Sequence, residues 1–285
     1  MNILSIDGGG IRGIIPAMAL DALEQSTGKA VQEIFSLMVG TSTGGILALA
    51  LAQDKRPADI IRLYEKRGTE IFSRPFWWLG LTGAKYAPDG IERVLLEELG
   101  EAPLTSAMHS VAVTTFSMIE RDTVVLKSWD PKVRMSFHEA ARATSAAPTY
   151  FSPCGPAALA DGGVWANNPA MLAAEMAKAR YPGDPFRLLS LGTGRTIENF
   201  EASTGWGVVG WAPRIVSLFM DAQTRAVERA CQRELIGRYF RVQVSLFGGE
   251  WPLDRTTTQY MSSLREAGRV AAGDVEQMVR AGWFN

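Results

Sequence analysis

The sequence predicts an α/β protein in which a mainly parallel sheet lies between two layers of helices. Short apolar segments typical of buried strands alternate along the chain with longer segments whose apolar residues recur at helical spacing. Residues 2–6 form the first such strand, and residues 14–26 form the first helix. Because parallel strands are joined by crossover connections that are usually helices, this alternation indicates a sheet with helices on both faces.

The other predicted elements follow the same alternation. The predicted strands cover 35–39, 111–119, 123–129, 157–160, 187–191 and 239–244. The predicted helices cover 43–53, 57–71, 89–99, 136–146, 168–180, 214–235 and 258–282. No shift in composition marks a domain boundary, so we expect a single domain over residues 1–285.

The composition excludes several classes of protein. Hydrophobic residues make up 47% of the 285 residues, charged residues make up 21%, and the formal net charge is −1. This balance is typical of an α/β enzyme and offers no field that attracts a nucleic acid polymer. We identify neither a signal peptide nor a membrane span, so we expect a cytoplasmic protein. Cys154 and Cys231 lack the spacing of metal ligands, and we expect no metal or cofactor.

Residues 39–49, VGTSTGGILAL, match a nucleophile elbow. Gly40-Thr41-Ser42-Thr43-Gly44 fits G-x-S-x-G between a predicted strand and a predicted helix, and flanking glycines relieve crowding at such a sharp turn. Ser42 is therefore a candidate nucleophile, and the Thr43 N–H is a candidate donor to an oxyanion at the helix start. The alternative is that Ser42 only caps the helix.

A glycine loop, Asp7-Gly8-Gly9-Gly10-Ile11-Arg12-Gly13, connects the first strand to the first helix. The N–H groups of such a loop can bind the pyrophosphate of a dinucleotide or the oxyanion of an acyl-transfer intermediate. A dinucleotide site also requires an acidic residue at the end of the second strand, where this chain has residues 39–42, VGTS. This mismatch counts against a nucleotide-binding oxidoreductase, and a purely structural turn is a further alternative.

A third motif, Asp161-Gly162-Gly163, follows the predicted strand 157–160. A carboxylate at a strand end can reach a neighbouring loop, although Asp-Gly is also common in ordinary turns. His109 and His138 are the only histidines, and neither occupies an obvious catalytic setting. From the residues alone, the group that would activate Ser42 stays open.

The three motifs together resemble the patatin-like phospholipase family, whose core is similar to that of α/β-hydrolases. In order, the chain has a strand, DGGGIRG and a helix, then GTSTG and a helix, then DGG. Segment 141–151, ARATSAAPTYF, is similar to the family segment A-x-x-A-S-S-A-A-P-x-Y-F. Segments 167–169, NNP, and 190–194, SLGTG, agree as well. The resemblance covers a core at 2–194 and leaves 195–285 as a C-terminal helical and strand extension.

The resemblance implies a lipid acyl hydrolase that cleaves acyl esters of phospholipids through an acyl-enzyme, with a Ser–Asp dyad and no histidine. Ser42 is then the nucleophile and Asp161 the general base. The oxyanion hole is implied to consist of three glycines, an arginine that orients their loop and a threonine: Gly8, Gly9, Gly10, Arg12 and Thr43. The other motif glycines are Gly13, Gly40, Gly44, Gly162 and Gly163. Gly163 replaces the alanine of the common D-G-A and is expected to add flexibility after the base.

The implied substrate is a phospholipid, reached by a cytoplasmic protein at the inner membrane surface. Segments 72–81 and 206–213 are rich in aromatic residues, so each is a candidate for an interfacial lid or an acyl-chain pocket. The alternatives are packing against the core and a subunit contact in a homo-oligomer.

Residues 221–241 are similar to the corresponding segment of bacterial patatin-like proteins, some of which are anti-phage defence effectors gated by a cyclic nucleotide. This likeness implies an activator site that uses Arg225, Arg229 or Arg233, although basic residues at this spacing usually form a solvated face. A non-catalytic binding protein on the same scaffold is the remaining alternative to an enzyme.

Overall fold

A central sheet of seven strands organises the computed structural model, which describes residues 1–74, 83–197, 205, 207, 211, 215–248 and 250–284. Its strands are β1 (Asn2–Ile6), β2 (Leu37–Thr41), β3 (Val111–Ser117), β4 (Asp122–Lys127), β5 (Leu159–Asp161), β6 (Arg187–Leu191) and β8 (Tyr239–Val242). The order is β4-β3-β2-β1-β6-β8, and β5 also pairs with β3. Strands β4 and β5 run antiparallel to β3, and the other pairings are parallel. A two-stranded sheet joins β7 (Arg195–Thr196) to β9 (Ser245–Leu246).

The helices of the described residues alternate with these strands. They are α1 (Ile14–Thr27), α2 (Val31–Ile34), α3 (Thr43–Leu51), α4 (Pro57–Ile71), α5 (Pro88–Leu99), α6 (Phe137–Thr144), α7 (Gly163–Ala166), α8 (Ala170–Arg180), α9 (Ile215–Glu234) and α10 (Thr258–Arg280), with 3-10 turns at Gly10–Gly13 and Leu104–Ser106. The helix predicted over 168–180 begins at Ala170 in the structure, two residues later than predicted. Pro169 lies just before the helix, and the Asn168 side chain accepts a hydrogen bond from the Ala170 N–H.

The two faces of the sheet carry separate apolar cores, because successive residues of a strand point to opposite sides. Along β1, Leu4 and Ile6 belong to the core that contains α1 and α3, whereas Ile3 belongs to the core that contains α8. Along β2, Met38 and Val39 divide in the same way. The predicted α/β/α layering with a mainly parallel sheet is therefore confirmed.

The strand register brings the three predicted motifs together. Ile6 of β1 lies opposite Gly40 of β2, so the glycine loop and the serine turn leave the sheet side by side. Thr41 lies opposite Thr114 of β3, and the next residue of β3, Thr115, lies opposite Asp161 of β5. The antiparallel direction of β5 thus carries Asp161 to the same edge of the sheet as the serine turn.

The residues after 194 are integrated into this fold. Strand β8 pairs with β6 in the central sheet, and α10 packs along α1 through residues that include Leu264 and Gly268, the latter against Met18. Between them, Leu253 contacts the glycine loop at Gly10. The extension predicted over 195–285 therefore forms part of the site as well as part of the scaffold.

Candidate active site

Ser42 occupies a strained turn between β2 and α3. Its φ is 55° and its ψ is −124°, a combination that residues other than glycine rarely adopt. The Ser42 N–H donates to Oγ1 of Thr144 (3.0 Å), and the Thr144 hydroxyl donates to the Thr114 carbonyl (2.7 Å). Within the described residues, the Ser42 side chain makes no capping hydrogen bond to α3. The turn therefore has the conformation of a nucleophile elbow, and the capping alternative does not apply.

Two glycines allow this turn to form against the sheet. A Cβ on Gly40 would overlap the carbonyl of Gly44, and a Cβ on Gly44 would overlap the carbonyl of Ile6. Helix α3 can therefore begin directly beside β1 and β2. This close approach explains the G-x-S-x-G spacing physically, because any side chain at either position would push the helix away from the strands.

Asp161 lies beside Ser42 and is almost fully buried, with 4% of its surface exposed. Burial raises the pKa of its carboxyl to about 6, and hydrogen bonds from the Ser42 side chain and the Gly163 N–H oppose this rise. The Gly163 N–H lies 2.7 Å from Oδ1 of Asp161. A carboxylate whose pKa lies near neutrality, in hydrogen-bond contact with a serine, is suited to accept the serine proton.

The two glycines after Asp161 are closely packed against their neighbours, and the expected flexibility of Gly163 stays a prediction. A Cβ on Gly162 would overlap the Thr114 side chain. Gly163 is the first residue of α7, and a Cβ there would lie 3.0 Å from Oδ1 of Asp161. The absence of a side chain thus leaves room for the carboxylate.

The glycine loop directs only part of its backbone toward Ser42. Gly9 and Gly10 border a cavity that also reaches Ser42 and Asp161. The Gly8 N–H instead donates to the Asn167 carbonyl (3.0 Å). Gly8 is therefore corrected from an oxyanion donor to an anchor of the loop, because its only donor is already occupied.

The next residues of the loop are held by the C-terminal part of the chain. The Ile11 N–H donates to the Leu253 carbonyl (2.8 Å), and Gly10, with a φ of 57°, has no room for a Cβ beside that carbonyl. The Arg12 N–H donates to the Gly9 carbonyl (3.2 Å), so Arg12 supports the loop through its backbone. With its amides at Gly8 and Ile11 occupied, the loop does not present the row of free donors that a pyrophosphate requires.

Thr43 and Gly13 complete the contact between the loop and α3. Thr43 begins α3 and borders the cavity, and its hydroxyl hydrogen-bonds that of the buried Tyr64. A Cβ on Gly13 would overlap the Thr43 hydroxyl. The helix start therefore lies against the glycine loop, and Thr43, Gly9 and Gly10 border the same cavity.

A buried ion pair beneath the glycine loop was not predicted from the sequence. Asp7, the first residue of the loop, is paired with Arg241 of β8, whose Nη1 also donates to Oγ of Ser190 (2.8 Å). Burial raises the pKa of the Asp7 carboxyl, and the charge of Arg241 opposes this rise. The sequence signal was the acidic residue at the head of the glycine motif, but its partner lies far away in the chain.

The cavity beside Ser42 has a volume of about 290 Å³ and an almost entirely apolar lining. This volume is at the lower limit of the ~300–1,000 Å³ typical of small-ligand sites. Its polar end is formed by Ser42 and Asp161, and its walls include Ile46, Phe151 and Met220. The arrangement can hold an apolar chain with a reactive carbonyl placed at the serine.

Both histidines lie in structural positions outside this cavity. Nε2 of His109 is 3.1 Å from Oδ1 of Asp54. Nδ1 of His138 is 2.9 Å from Oγ of Ser136 and 3.0 Å from the Gly100 carbonyl. The described structure therefore brings an aspartate, and neither histidine, to the candidate nucleophile.

One further predicted feature reaches the cavity in part, because Phe72, the first residue of the aromatic segment 72–81, belongs to its lining. Arg225, Arg229 and Arg233 are exposed on α9, and Arg225 pairs with Asp221 on the same helix (2.8 Å). In the aromatic segments 72–81 and 206–213, residues 75–81, 206, 208–210 and 212–213 lie outside the described residues. Among the residues that are described, no cluster of His, Cys, Asp or Glu could hold a metal ion, and no helix is long and apolar enough to cross a membrane.

Comparison with known proteins gives consistent matches. Residues 4–174 match the family described as patatin-like phospholipase. The protein named probable inactive patatin-3-Kuras 1, of Solanum tuberosum, is 31% identical over 74% of this chain and 68% of its own length. The cGAMP-activated phospholipase of Pseudomonas aeruginosa is 29% identical over 95% of this chain and 84% of its own length. The solved structure of VipD from Legionella pneumophila shares the fold, with a TM-score of 0.57 at 13% identity over 97% of this chain and 66% of VipD.

Proposed function

This chain belongs to the patatin-like phospholipase family of lipid acyl hydrolases, and from that premise we propose that it cleaves acyl esters of membrane phospholipids with Ser42 and Asp161. The observation that carries the proposal is the contact between a strained serine and a buried carboxyl with a pKa of about 6. Both groups lie at the polar end of an apolar cavity, which suits an acyl chain whose ester carbonyl reaches the serine.

The proposed reaction has two halves. Asp161 accepts the proton of the Ser42 hydroxyl while its oxygen attacks the ester carbonyl, and the N–H groups of Gly9, Gly10 and Thr43 stabilise the resulting oxyanion. When the intermediate collapses, the carbon–oxygen bond of the ester breaks, and the leaving alcohol takes the proton from Asp161. Water then attacks the acyl-enzyme, again with Asp161 as base, which releases the fatty acid and restores Ser42.

Exposed apolar residues at the mouth of the cavity support association with a lipid surface. Val164, Val216 and Phe219 border the cavity and are 41%, 52% and 59% exposed. Contiguous apolar surface of this kind is unfavourable in water. We therefore assign to these three residues the interfacial role that the sequence predicted for the aromatic segments, and we propose a protein that binds the inner membrane surface peripherally.

Activation by a cyclic nucleotide is the regulatory part of the proposal. It is supported by the likeness to the cGAMP-activated phospholipase and by the position of α9, whose residues Met220 and Gln223 border the cavity. A ligand bound to Arg225, Arg229 or Arg233 on that helix would be coupled to the cavity through the helix itself. The expected role as an anti-phage effector depends on this activation.

The test of the proposed function combines covalent labelling with product analysis. A fluorophosphonate probe labels the protein at Ser42, and p-nitrophenyl esters and phospholipid vesicles are hydrolysed, each with and without cyclic dinucleotides. Ser42→Ala abolishes labelling and hydrolysis, and Asp161→Asn abolishes hydrolysis. The matched control is Ser5→Ala, at a buried serine of β1 whose hydroxyl has no hydrogen-bond partner among the described residues.

Two results would contradict the proposed function. His109→Ala and His138→Ala keep most of the activity, so a loss in either variant beyond about 100-fold, the lower range for a general base, would refute the Ser–Asp dyad. Wild-type protein that is unlabelled with every nucleotide would instead indicate the non-catalytic binding protein.

A further inference from the structure

A second, smaller cavity, which we call the hollow, lies next to the cavity beside Ser42, which we call the catalytic cavity. The hollow continues the catalytic cavity on the side away from Ser42. It has a volume of about 20 Å³, which just exceeds the ~10–15 Å³ needed to hold one water molecule. Three residues border both spaces and therefore lie between them: Ile46, Leu63 and Leu95. We call these three residues the dividing wall.

The lining residues of three helices show where the hollow lies relative to Ser42. Along α3, Ser42 and Ile46 border the catalytic cavity, whereas Ala50, four residues further, borders only the hollow. Residues four apart lie on one helix face and about 6 Å apart along the axis. The hollow is therefore one further helical turn away from the nucleophile.

Helices α5 and α4 show the same progression. On α5, Ile91 borders only the catalytic cavity, Leu95 borders both spaces, and Leu99 borders only the hollow. On α4, which is traversed in the opposite direction, Ile71 borders only the cavity, and Ile60 borders only the hollow. A straight apolar path thus runs from the serine between three helices and is interrupted at one level by the dividing wall.

The outer end of this path is closed by charge. Lys55 and Glu98 border the hollow and form an ion pair of 3.1 Å between Nζ and Oε2. Their side chains are 30% and 34% exposed, so they reach the solvent. An alkyl chain extended along the path would meet the dividing wall first and this partly solvated pair second.

We infer that Ile46, Leu63 and Leu95 set the longest acyl chain that the enzyme accepts. The inference rests on the proposed function, since it takes the catalytic cavity as the acyl-chain site. An acyl group bonded to Ser42 extends its methyl end along α3 toward the wall. Each additional methylene then either finds space or forces side chains from well-packed positions, and cores tolerate such overpacking poorly.

Leu63→Ala is the decisive substitution. Leu63 is the only half-buried member of the wall, whereas Ile46 and Leu95 are buried, so its truncation disturbs the core least. Removing its side chain joins the cavity to the hollow and lengthens the path by one helical turn. The ratio of kcat/KM for p-nitrophenyl palmitate to that for the octanoate is expected to rise about tenfold, the lower range for one methylene in an apolar pocket.

Two further variants separate this role from a general loss of packing. Ile60→Ala removes a buried side chain of the same helix that borders only the hollow, and it leaves the chain-length ratio unchanged. Adding Ala50→Leu to Leu63→Ala refills the hollow and restores the wild-type ratio. An unchanged ratio in folded Leu63→Ala, or an equal rise in Ile60→Ala, would overturn the inference.

Binding of free fatty acids of graded length, measured by displacement of a fluorescent dye, distinguishes this inference from the proposed function. If Leu63→Ala binds longer fatty acids than the wild type but no ester is hydrolysed, the dividing wall is supported as the limit on chain length and the hydrolase proposal fails. If esters are hydrolysed and neither measurement shifts, the hydrolase proposal stands and the wall is refuted.

Discussion

Arg241 binds the carboxylate of Asp7 through two parallel hydrogen bonds directly beneath the glycine loop. Nη1 lies 2.9 Å from Oδ1, and Nη2 lies 2.6 Å from Oδ2. The two side chains are only 5% and 2% exposed. A guanidinium group can make this two-pronged contact, whereas an ammonium group cannot, so the pair sets both the charge and the orientation of the residue from which the loop departs.

Loss of this arginine should destabilise the protein strongly. Arg241→Met leaves the Asp7 carboxyl buried without its partner, and we expect the free energy of unfolding to fall by about 3–5 kcal/mol. Urea denaturation followed by circular dichroism measures the change. The matched control is Arg225→Met, at an exposed arginine paired within α9, which should cost less than about 0.5 kcal/mol. Equal effects in the two variants would contradict the structural importance of the buried pair.

The activity should depend on the ionisation of Asp161. The base must be deprotonated to accept the Ser42 proton, and burial raises its pKa to about 6. We therefore expect kcat/KM to be constant above that pH and to decrease about tenfold per pH unit below it. Initial rates with a soluble p-nitrophenyl ester measure this profile. A midpoint near 4, the ordinary range of an aspartate, would show that Asp161 is not desolvated in the free enzyme.

The same shift predicts a stability gain when the base is neutralised. The pKa of Asp161 is raised from 3.8 to about 6 on folding, so the protonated form is favoured in the folded state. The associated stability is present below about pH 4 and is lost as the pH rises through about 6. We therefore compare the free energy of unfolding of Asp161→Asn with that of the wild type at two pH values. On going from pH 4 to about pH 8, this difference should shift in favour of the variant by up to about 3 kcal/mol.

Urea denaturation of both proteins at the two pH values tests this expectation. Asp130→Asn, at a residue outside the cavity, is the control for the general effect of removing one negative charge. A difference between wild type and Asp161→Asn that stays constant with pH would argue against a raised pKa in the folded state.

Substitutions at the mouth of the cavity should weaken binding to vesicles more than they slow the hydrolysis of soluble esters. Phe219→Asp places a charge where we propose that the lipid surface lies, and loss of an inserted phenyl group weakens binding by about 1.5–3 kcal/mol, or roughly 10- to 150-fold. Co-sedimentation with phosphatidylcholine vesicles measures this loss. Phe247→Asp is the matched control, since Phe247 is 69% exposed but does not border the cavity. Equal binding by the two variants would refute the proposal that the mouth of the cavity contacts the lipid surface.

Local patterns in the sequence were sufficient to predict the layers and the candidate nucleophile, whereas Asp161 became the candidate base only through the family resemblance. The alternation of strands and helices indicated the parallel sheet, and parallel pairing of β1 with β2 places the glycine loop beside Ser42. These features depend on residues close together in the chain, where periodicity and turn chemistry carry the information. The helix boundary at Pro169 was predicted less well, because Asn168 supplies an alternative hydrogen bond there.

Contacts between distant parts of the chain could not be predicted in this way. The occupied N–H of Gly8 depends on the carbonyl of Asn167, and a backbone carbonyl leaves no trace in a sequence pattern. Arg241 is one of several arginines between residues 225 and 241, and the pairing of β8 with β6 is what brings it to Asp7. The role of Leu253 arises from a loop without any periodic signal.

The contacts that fix the glycine loop also determine when, during folding, the loop reaches its final geometry. Arg241 lies 234 positions from Asp7 along the chain, and Leu253, whose carbonyl accepts from the Ile11 N–H, is similarly distant. Contacts between residues so far apart in sequence carry a large loop-closure entropy and form late. We therefore expect the loop at residues 8–13 to become ordered only after β8 has paired with β6.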